Sequence, residues 1–485
     1  MVCVLALVAA GFVLAPAAGA GEETANVNDA AAQAAAGLVG SPPTPALDLG
    51  GTVAALGTGA ASVGSEGDVD LAETLLESPS AEGTSARLDR PAGMSGGTVA
   101  VDALLASPPV PGPSGDCVSG RQVDSTDADG DGNPEFVRVR EFLLCRVDAD
   151  ADGDPEWQLA LARETRLHDP DDNGAFNRLE VDEAAAELLD PTSDGILEVE
   201  QGAARTLEAE DADEDSAPES VRIHGAATRK VDANNSGIAE FEEAAAASLG
   251  AEDPSSDGVW EHVLVEAVYL LAYDVDDDGS REYTAALAYR AEAADADSDG
   301  HPETAEAAAA AREAYDGDVD GYPEALRGAF QRAVLEDPNS DGAANRIELT
   351  GFAIEAVDLS SDGVFEAARA AGARGEATDA DDDGHAESAT LEAAAGGWID
   401  GDQDGTQEAG EVTLFRARAT DADSNGTVEK VSADLAHYGF LDPDDDGVRN
   451  LQVWHIAGFR AEDVDQDGTA DIVEAFSWSR VETSP

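Results

Sequence analysis

The sequence predicts an all-α fold, a tandem solenoid of 17 repeats of 21 residues, each made of an acidic loop and a helix. Nine-residue units such as DADADGDPE (148–156) recur every 21 residues, with their first Asp running from Asp127 to Asp463 without an insertion. Repeat positions 13, 16 and 20 are mostly apolar, and this spacing of i, i+3 and i+7 is typical of one helix face. Pro-Glu pairs and Ala-rich runs such as 306–313 favour a helix start and a helix interior.

Two segments favour a different structure between the loops. Residues 136–147 (FVRVREFLLCRV) and 411–419 (EVTLFRARA) alternate in polarity and are rich in β-branched or aromatic side chains. A β-rich repeat array, with DxDxDG loops between strands, therefore remains the alternative fold.

The composition is strongly acidic. The chain has 103 Asp and Glu against 27 Lys and Arg, for a formal charge of −76. Nucleic acid is excluded as a partner because its phosphates would be repelled. Seventeen Ca²⁺ ions would reduce the charge only to −42, and without metal the carboxylates of each loop would repel one another. We therefore expect the metal-free chain to be loose or unfolded.

Three segments follow one another along the chain. Residues 1–20 are apolar and end in Ala-Gly-Ala, which predicts a secretory signal peptide. Residues 21–123 are rich in Ala, Gly, Ser and Pro and predict a linker or docking segment. The repeat array covers residues 124–485. Cys117 and Cys145 straddle its first loop, and either a disulfide or two free thiols would fit an exported protein.

The loop pattern predicts a site for a hard divalent cation. Oxygen-bearing side chains at loop positions 1, 3 and 5 converge only if the chain turns sharply, and Gly at position 6 permits that turn. Position 9 supplies a further carboxylate or amide. His and Cys are absent from these positions, which argues against zinc and copper. Several flexible oxygen ligands favour Ca²⁺ over Mg²⁺.

The predicted ligands are the residues at these four positions in all 17 loops. Position 1 is Asp127, Asp148, Asp169, Asp190, Asp211, Asp232, Asp253, Asp274, Asp295, Asp316, Asp337, Asp358, Asp379, Asp400, Asp421, Asp442 and Asp463. Position 3 is Asp129, Asp150, Asp171, Thr192, Asp213, Asn234, Ser255, Asp276, Asp297, Asp318, Asn339, Ser360, Asp381, Asp402, Asp423, Asp444 and Asp465. Position 5 is Asp131, Asp152, Asn173, Asp194, Asp215, Ser236, Asp257, Asp278, Asp299, Asp320, Asp341, Asp362, Asp383, Asp404, Asn425, Asp446 and Asp467. Position 9 is Glu135, Glu156, Asn177, Glu198, Glu219, Glu240, Glu261, Glu282, Glu303, Glu324, Asn345, Glu366, Glu387, Glu408, Glu429, Asn450 and Asp471.

Some loops resemble the EF-hand calcium loop. Residues 232–243 (DANNSGIAEFEE), 169–180 and 337–348 match its oxygen positions 1, 3, 5, 9 and 12. The resemblance implies a bidentate glutamate at position 12 in six loops, namely Glu180, Glu243, Glu306, Glu348, Glu411 and Glu474. The tandem arrangement is similar to dockerin modules and to thrombospondin type 3 repeats, which are calcium-binding. The other eleven loops lack this glutamate.

The sequence predicts a structural protein rather than an enzyme. No nucleophile, zinc-protease or phosphate-loop motif is present, and the carboxylates are committed to the loops by their spacing. The predicted function is an extracellular filament, stalk or surface layer, stapled by up to about 17 Ca²⁺ ions and assembled head to tail from copies of itself. A calcium-dependent adapter or adhesin that binds a cell-surface or matrix protein is the alternative. We expect a secreted chain at the cell surface, with no small-molecule substrate.

Overall fold

The computed structural model describes residues 116–213, 218–342, 344–381, 385–423 and 425–484. Within these residues the regular structure consists of 18 strands of 11 or 12 residues. They are β1 (Asp116–Thr126), β2 (Phe136–Val147), β3 (Trp157–His168), β4 (Arg178–Leu189), β5 (Val199–Glu210), β6 (Ser220–Val231), β7 (Phe241–Glu252), β8 (His262–Tyr273), β9 (Tyr283–Ala294), β10 (Thr304–Tyr315), β11 (Ala325–Glu336), β12 (Arg346–Val357), β13 (Ala367–Thr378), β14 (Ser388–Ile399), β15 (Ala409–Thr420), β16 (Lys430–Leu441), β17 (Leu451–Glu462) and β18 (Ile472–Thr483). The predicted signal peptide, most of the predicted linker, Asp215 and Asp383 lie outside the described residues.

The predicted all-α solenoid is wrong, because a strand occupies each described place where a helix was expected. A 21-residue repeat is one 12-residue strand followed by one nine-residue loop. The strand alternative agrees with the structure, and its two diagnostic segments fall in β2 and β15.

The predicted filament, stalk or surface layer is also wrong, because it required loop–helix units stacked along an axis. Successive repeats instead lie side by side as antiparallel strands; Phe136 of β2 pairs with His168 of β3, and Val147 pairs with Trp157. The dockerin-like adapter required the same loop–helix modules and is wrong for the same reason.

Contacts divide the chain into two units. The first holds described residues 116–302 and 309–326, and the second holds 303–308 and 327–484. In the first unit each strand from β1 to β9 pairs antiparallel with the next. In the second, the strands from β12 to β18 do the same. β1 begins at Asp116, inside the segment predicted as linker.

Register separates the side chains of each unit onto two faces. Even-numbered residues pair only with even-numbered residues, and odd with odd, as in Ala160 with Leu144 and with Ala186. Because side chains alternate along a strand, even-numbered residues share one face and odd-numbered residues the other. The even-numbered face of β3 and β4 buries small side chains, with Ala160 and Ala186 only 1% and 2% exposed.

A buried carboxylate anchors this even-numbered face. Glu164 of β3 is 2% exposed and accepts hydrogen bonds from Arg138 at 2.7 Å and from Arg166 at 2.6 Å. Arg166 also reaches Glu180 and Asp182 on β4, at 2.5 and 2.8 Å. Burial alone would raise the pKa of Glu164, but the two arginines hold it below its ordinary value. Arginine–carboxylate ion pairs in this cluster therefore link β2, β3 and β4.

A disulfide joins the first two strands. Cys117 of β1 and Cys145 of β2 are direct cross-strand partners, and their sulfurs are bonded. Disulfides persist in oxidising compartments and are rare in the cytosol. The bond agrees with the broad prediction of a location outside the cytoplasm, at the cell envelope or surface. Within the described residues, no helix is both long and apolar enough to span a bilayer.

Replacing both cysteines by serine is expected to lower the free energy of unfolding by about 3 kcal/mol, because the cross-link closes a loop of 28 residues in the unfolded chain. Denaturant titration in the presence of calcium measures this loss. Ser119→Ala, on the same strand, is the matched control and should change little. An unchanged midpoint in the double variant would contradict the expectation.

Candidate cation sites at the hairpin loops

The loops are named here by the number of their first Asp. Those whose turn residues the structure describes fold around the carboxylate at position 1. In loop 253, Asp253 is 2% exposed and its Oδ2 accepts a hydrogen bond from Gly258 N at 2.8 Å. Loops 169, 274, 295 and 421 repeat this contact at 2.8 Å. Gly258 has a φ of +86°, a conformation that glycine adopts without strain. Position 1 thus fixes the turn through one of its two oxygens.

The carboxylates at positions 9 and 5 are held by backbone N–H groups. In loop 358, Glu366 accepts hydrogen bonds from Leu359 N at 2.6 Å and from Ser360 N at 3.0 Å. Asp362 accepts from Val364 N at 2.9 Å. These contacts fix the orientation of the carboxylates at the middle and the end of the loop.

Loop 274 brings four carboxylates together. Oxygens of Asp274, Asp276, Asp278 and Glu282 all lie within 4.8 Å of one another. Asp274 is 3% exposed and Glu282 is 5% exposed, and Oε1 of Glu282 is buried without a hydrogen-bond partner. Burial, followed by the charges of Asp278 and Glu282, raises the pKa of Asp276. Four converging oxygens with an orphaned buried acceptor fit a hard cation with oxygen ligands.

The six glutamates at loop position 12 lie within strands β4, β7, β10, β12, β15 and β18. Four of them engage partners on neighbouring residues or strands. Glu180 pairs with Arg166, Glu306 with Arg332 at 2.6 Å, and Glu348 with Arg346 at 2.9 Å. Glu243 accepts from Tyr269 Oη at 3.1 Å. Strands, rather than the helices of an EF-hand, flank these loops.

Loops that are two repeats apart stack on the same edge of the sheet, because consecutive strands run in opposite directions. The position-1 N–H of one loop donates to the position-9 carbonyl of the loop before it on that edge. Asp274 N donates to Glu240 O at 2.9 Å, and Asp442 N donates to Glu408 O at 2.6 Å. A ladder of backbone hydrogen bonds therefore joins the loops.

Position 4 adds a contact that the spacing of the acidic residues does not predict. All 13 non-glycine residues with positive φ among the described residues occupy this position, with φ between 52° and 63°. Several of the polar side chains among them reach the preceding loop on the same edge. Asn235 Nδ2 donates to Thr192 and Asp194 of loop 190, at 3.0 and 2.6 Å. Ser298 Oγ donates to Glu261 of loop 253 at 2.9 Å.

The polarity of this contact varies between loops. In loop 232, one of the three loops that resemble an EF-hand, the neutral side chains Asn234 and Ser236 donate to the Asp277 carboxylate of loop 274, at 2.9 and 2.7 Å. Asp172 instead enters loop 127, where its carboxylate joins a group with Asp129 and Glu135. Burial, and then the charges at positions 3, 5 and 9 of loop 127, raise the pKa of Asp172 to about 6. A polar residue at position 4 thus supplies the preceding loop with either a hydrogen-bond donor or an additional carboxylate.

A signal for position 4 exists in the sequence. Left-handed backbone favours Asn, Asp and Gly, and position 4 is rich in Asp, Ser, Asn and Gln. Side-chain composition alone does not show which loop these residues reach.

Val319 is the β-branched exception at position 4, with a φ of +57°. A left-handed conformation costs an L-residue about 1–2 kcal/mol, and glycine escapes this cost. Val319→Gly is therefore expected to stabilise the calcium-loaded chain by about 1 kcal/mol, measured as a higher denaturation midpoint. Val263→Gly, within strand β8, is the control and should destabilise. A loss of stability in Val319→Gly would contradict this interpretation.

Comparison with known proteins identifies no family. No protein-family model matches the chain, and no curated protein matches it. Among solved structures, Pseudomonas aeruginosa OccK5 is similar at 9% identity, with a TM-score of 0.17, over 76% of this chain and 96% of that chain. A bacterial polysaccharide outer membrane secretin matches at 9% identity, with a TM-score of 0.14, over 72% and 97%. Pseudomonas aeruginosa OccK11 matches at 10% identity, with a TM-score of 0.17, over 76% and 94%. Similarity at this level carries no conclusion about the present chain.

Proposed function

We propose that the chain is an exported protein of the cell envelope whose hairpin loops bind divalent cations, Ca²⁺ in particular, and that these cations keep the paired strands folded. The four-carboxylate group of loop 274 is the observation that carries the proposal. Its flexible carboxylate oxygens suit Ca²⁺ better than Mg²⁺, which requires a near-ideal octahedron and retains its waters. Loop 274 would hold the ion through Asp274, Asp276, Asp278 and Glu282.

The acidity of the chain supports a structural role for the cations. The formal charge of −76 is concentrated where carboxylates crowd at the loops. A bound cation would neutralise this repulsion and offset the free energy of burying Asp274 and Glu282. Backbone N–H groups hold two of these carboxylates in position. Gly279 N donates a hydrogen bond to Asp274 at 2.8 Å, and Val275 N donates one to Glu282 at 2.6 Å.

Terbium luminescence tests the site directly, since Tb³⁺ replaces Ca²⁺ at oxygen sites and is sensitised by nearby tyrosine. Tyr273 and Tyr283 flank loop 274, with ring centroids 5.8 Å apart. We expect tyrosine-sensitised emission that added calcium displaces, and a weaker emission in an Asp276→Asn, Glu282→Gln variant.

The matched control is Tyr273→Phe with Tyr283→Phe, which removes the sensitisers and keeps the ligands. It should lose the part of the emission that comes from loop 274 and still bind the same number of calcium ions, whereas the ligand variant should bind one fewer. Identical emission and calcium binding in the ligand variant and the wild type would contradict the proposed site. Secretion beyond the envelope and association with copies of the chain remain predictions from the sequence.

A further inference from the structure

In loop 358, a side-chain amide from another loop stands at the point where the oxygens converge. Nε2 of Gln403, at position 4 of loop 400, lies 2.6 Å from Ser360 Oγ and 3.1 Å from Asp362 Oδ1. It also lies 3.0 Å from the carbonyl of Val364 and 2.8 Å from Glu366 Oε1. One nitrogen therefore contacts oxygens from positions 3, 5, 7 and 9 of a single loop.

These are four of the oxygens that a calcium loop of this pattern offers to its ion. The distances of 2.6–3.1 Å are hydrogen-bond distances, longer than the 2.3–2.6 Å of a calcium–oxygen contact. The N–H groups of the Gln403 amide carry a partial positive charge, and they occupy the position where an ion would contact these oxygens. Loop 358 also has a neutral Ser360 at position 3, so it has less negative charge to neutralise.

Loop 400, the next loop on this edge, receives the opposite group. Asp445, at position 4 of loop 442, enters it beside the carboxyls at positions 3, 5 and 9. Asp400 is 7% exposed, and its Oδ1 is buried without a hydrogen-bond partner, as is Oδ1 of Asp445. Asp445 and three carboxyl groups of loop 400 thus meet with no amide among them, in the loop that begins at the buried Asp400.

We infer that the fourth residue of each loop determines what occupies the preceding loop on the same edge: the Gln403 amide fills loop 358, which takes no ion, whereas Asp445 completes a divalent-cation site in loop 400 that is shared between two hairpins. This inference rests on the proposed function. Gln466 also places its amide in the preceding loop, where its Nε2 donates to Glu429 at 2.9 Å and its Oε1 accepts from Asn425 at 3.1 Å. The array therefore contains both ion-filled and amide-filled loops.

Native mass spectrometry of the full chain in calcium tests this inference, because it counts bound ions one at a time. Gln403→Glu puts a carboxylate into loop 358 and should add one Ca²⁺ to the maximum count. Asp445→Asn puts an amide into loop 400 and should remove one. The double variant should return to the wild-type count. Gln403→Ala, which removes the amide and adds no charge, controls for the loss of the side chain.

Far-UV circular dichroism in calcium accompanies each count. Both single variants should keep the strand signal, and a Gln403→Glu chain that fails to fold in calcium would overturn the inference, because a cation should hold the new carboxylate. A calcium-loaded wild type whose ion count changes in neither single variant would overturn this inference alone. A wild type that binds no calcium would overturn the proposed function with it.

Discussion

Chelation of divalent cations is expected to abolish the strand signal of the full chain, and added calcium is expected to restore it. The carboxylates of loops such as 274 and 400 are held close together by the hairpin geometry. Without a cation their repulsion recurs at loop after loop, while the folding free energy of a whole domain is only about 5–15 kcal/mol. Far-UV circular dichroism with chelator, and again with millimolar calcium, measures the change.

Monovalent salt is the matched condition for this experiment. Sodium chloride at the same ionic strength screens the repulsion between exposed carboxylates but does not bridge buried ones. We therefore expect at most partial recovery with sodium and full recovery with calcium. A strand signal that is the same with and without chelator would contradict a structural role for the cations.

The second large effect concerns the buried carboxylate of β3. Glu164→Ala is expected to destabilise the calcium-loaded chain by about 3 kcal/mol, because Arg138 and Arg166 would lose their buried partner. Denaturant titration in calcium gives the difference. Glu392→Ala is the matched control, since the Arg416–Glu392 pair is 56% and 57% exposed and should contribute less than about 1 kcal/mol. Equal losses of unfolding free energy in the two variants would show that burial of the ion pair does not determine its contribution to stability.

The fold could have been predicted from the repeat length. Twenty-one is an odd number, so a given repeat position falls on an even-numbered residue in one copy and an odd-numbered residue in the next. Position 13, for example, is Val139 on the odd-numbered face and Ala160 on the even-numbered face. Aligning copies at 21 residues therefore mixes the two faces and hides the alternation of period two. The apolar repeat positions 13, 16 and 20 then have the i, i+3, i+7 spacing of a helix face, although the segment is a strand.

Helix propensity added to this error. Segments such as Thr304–Tyr315 (TAEAAAAAREAY) are strong helix formers in isolation, yet they form strands. Intrinsic propensity is a weak preference, which the neighbouring strands and the fixed turn geometry outweigh. Alignment at 42 residues, which keeps each face separate, would have favoured the strand alternative.

The loop chemistry was more accessible than the fold. The spacing of acidic residues predicted which side chains would converge, and Asp274, Asp276, Asp278 and Glu282 lie together as expected. The contribution of position 4 was missed because it depends on which loops stack, and that follows only from antiparallel pairing. Gln403, for example, is 37–43 residues away in sequence from the loop 358 residues that it contacts in the structure.

A calcium count on the purified full chain decides whether cations occupy the hairpin loops. Equilibrium dialysis against millimolar calcium, followed by metal analysis, should find several ions per chain, and fewer than the 17 loops because amide-filled loops such as 358 take none. A folded chain that retains no calcium under these conditions would contradict the proposal that cations hold the hairpin loops.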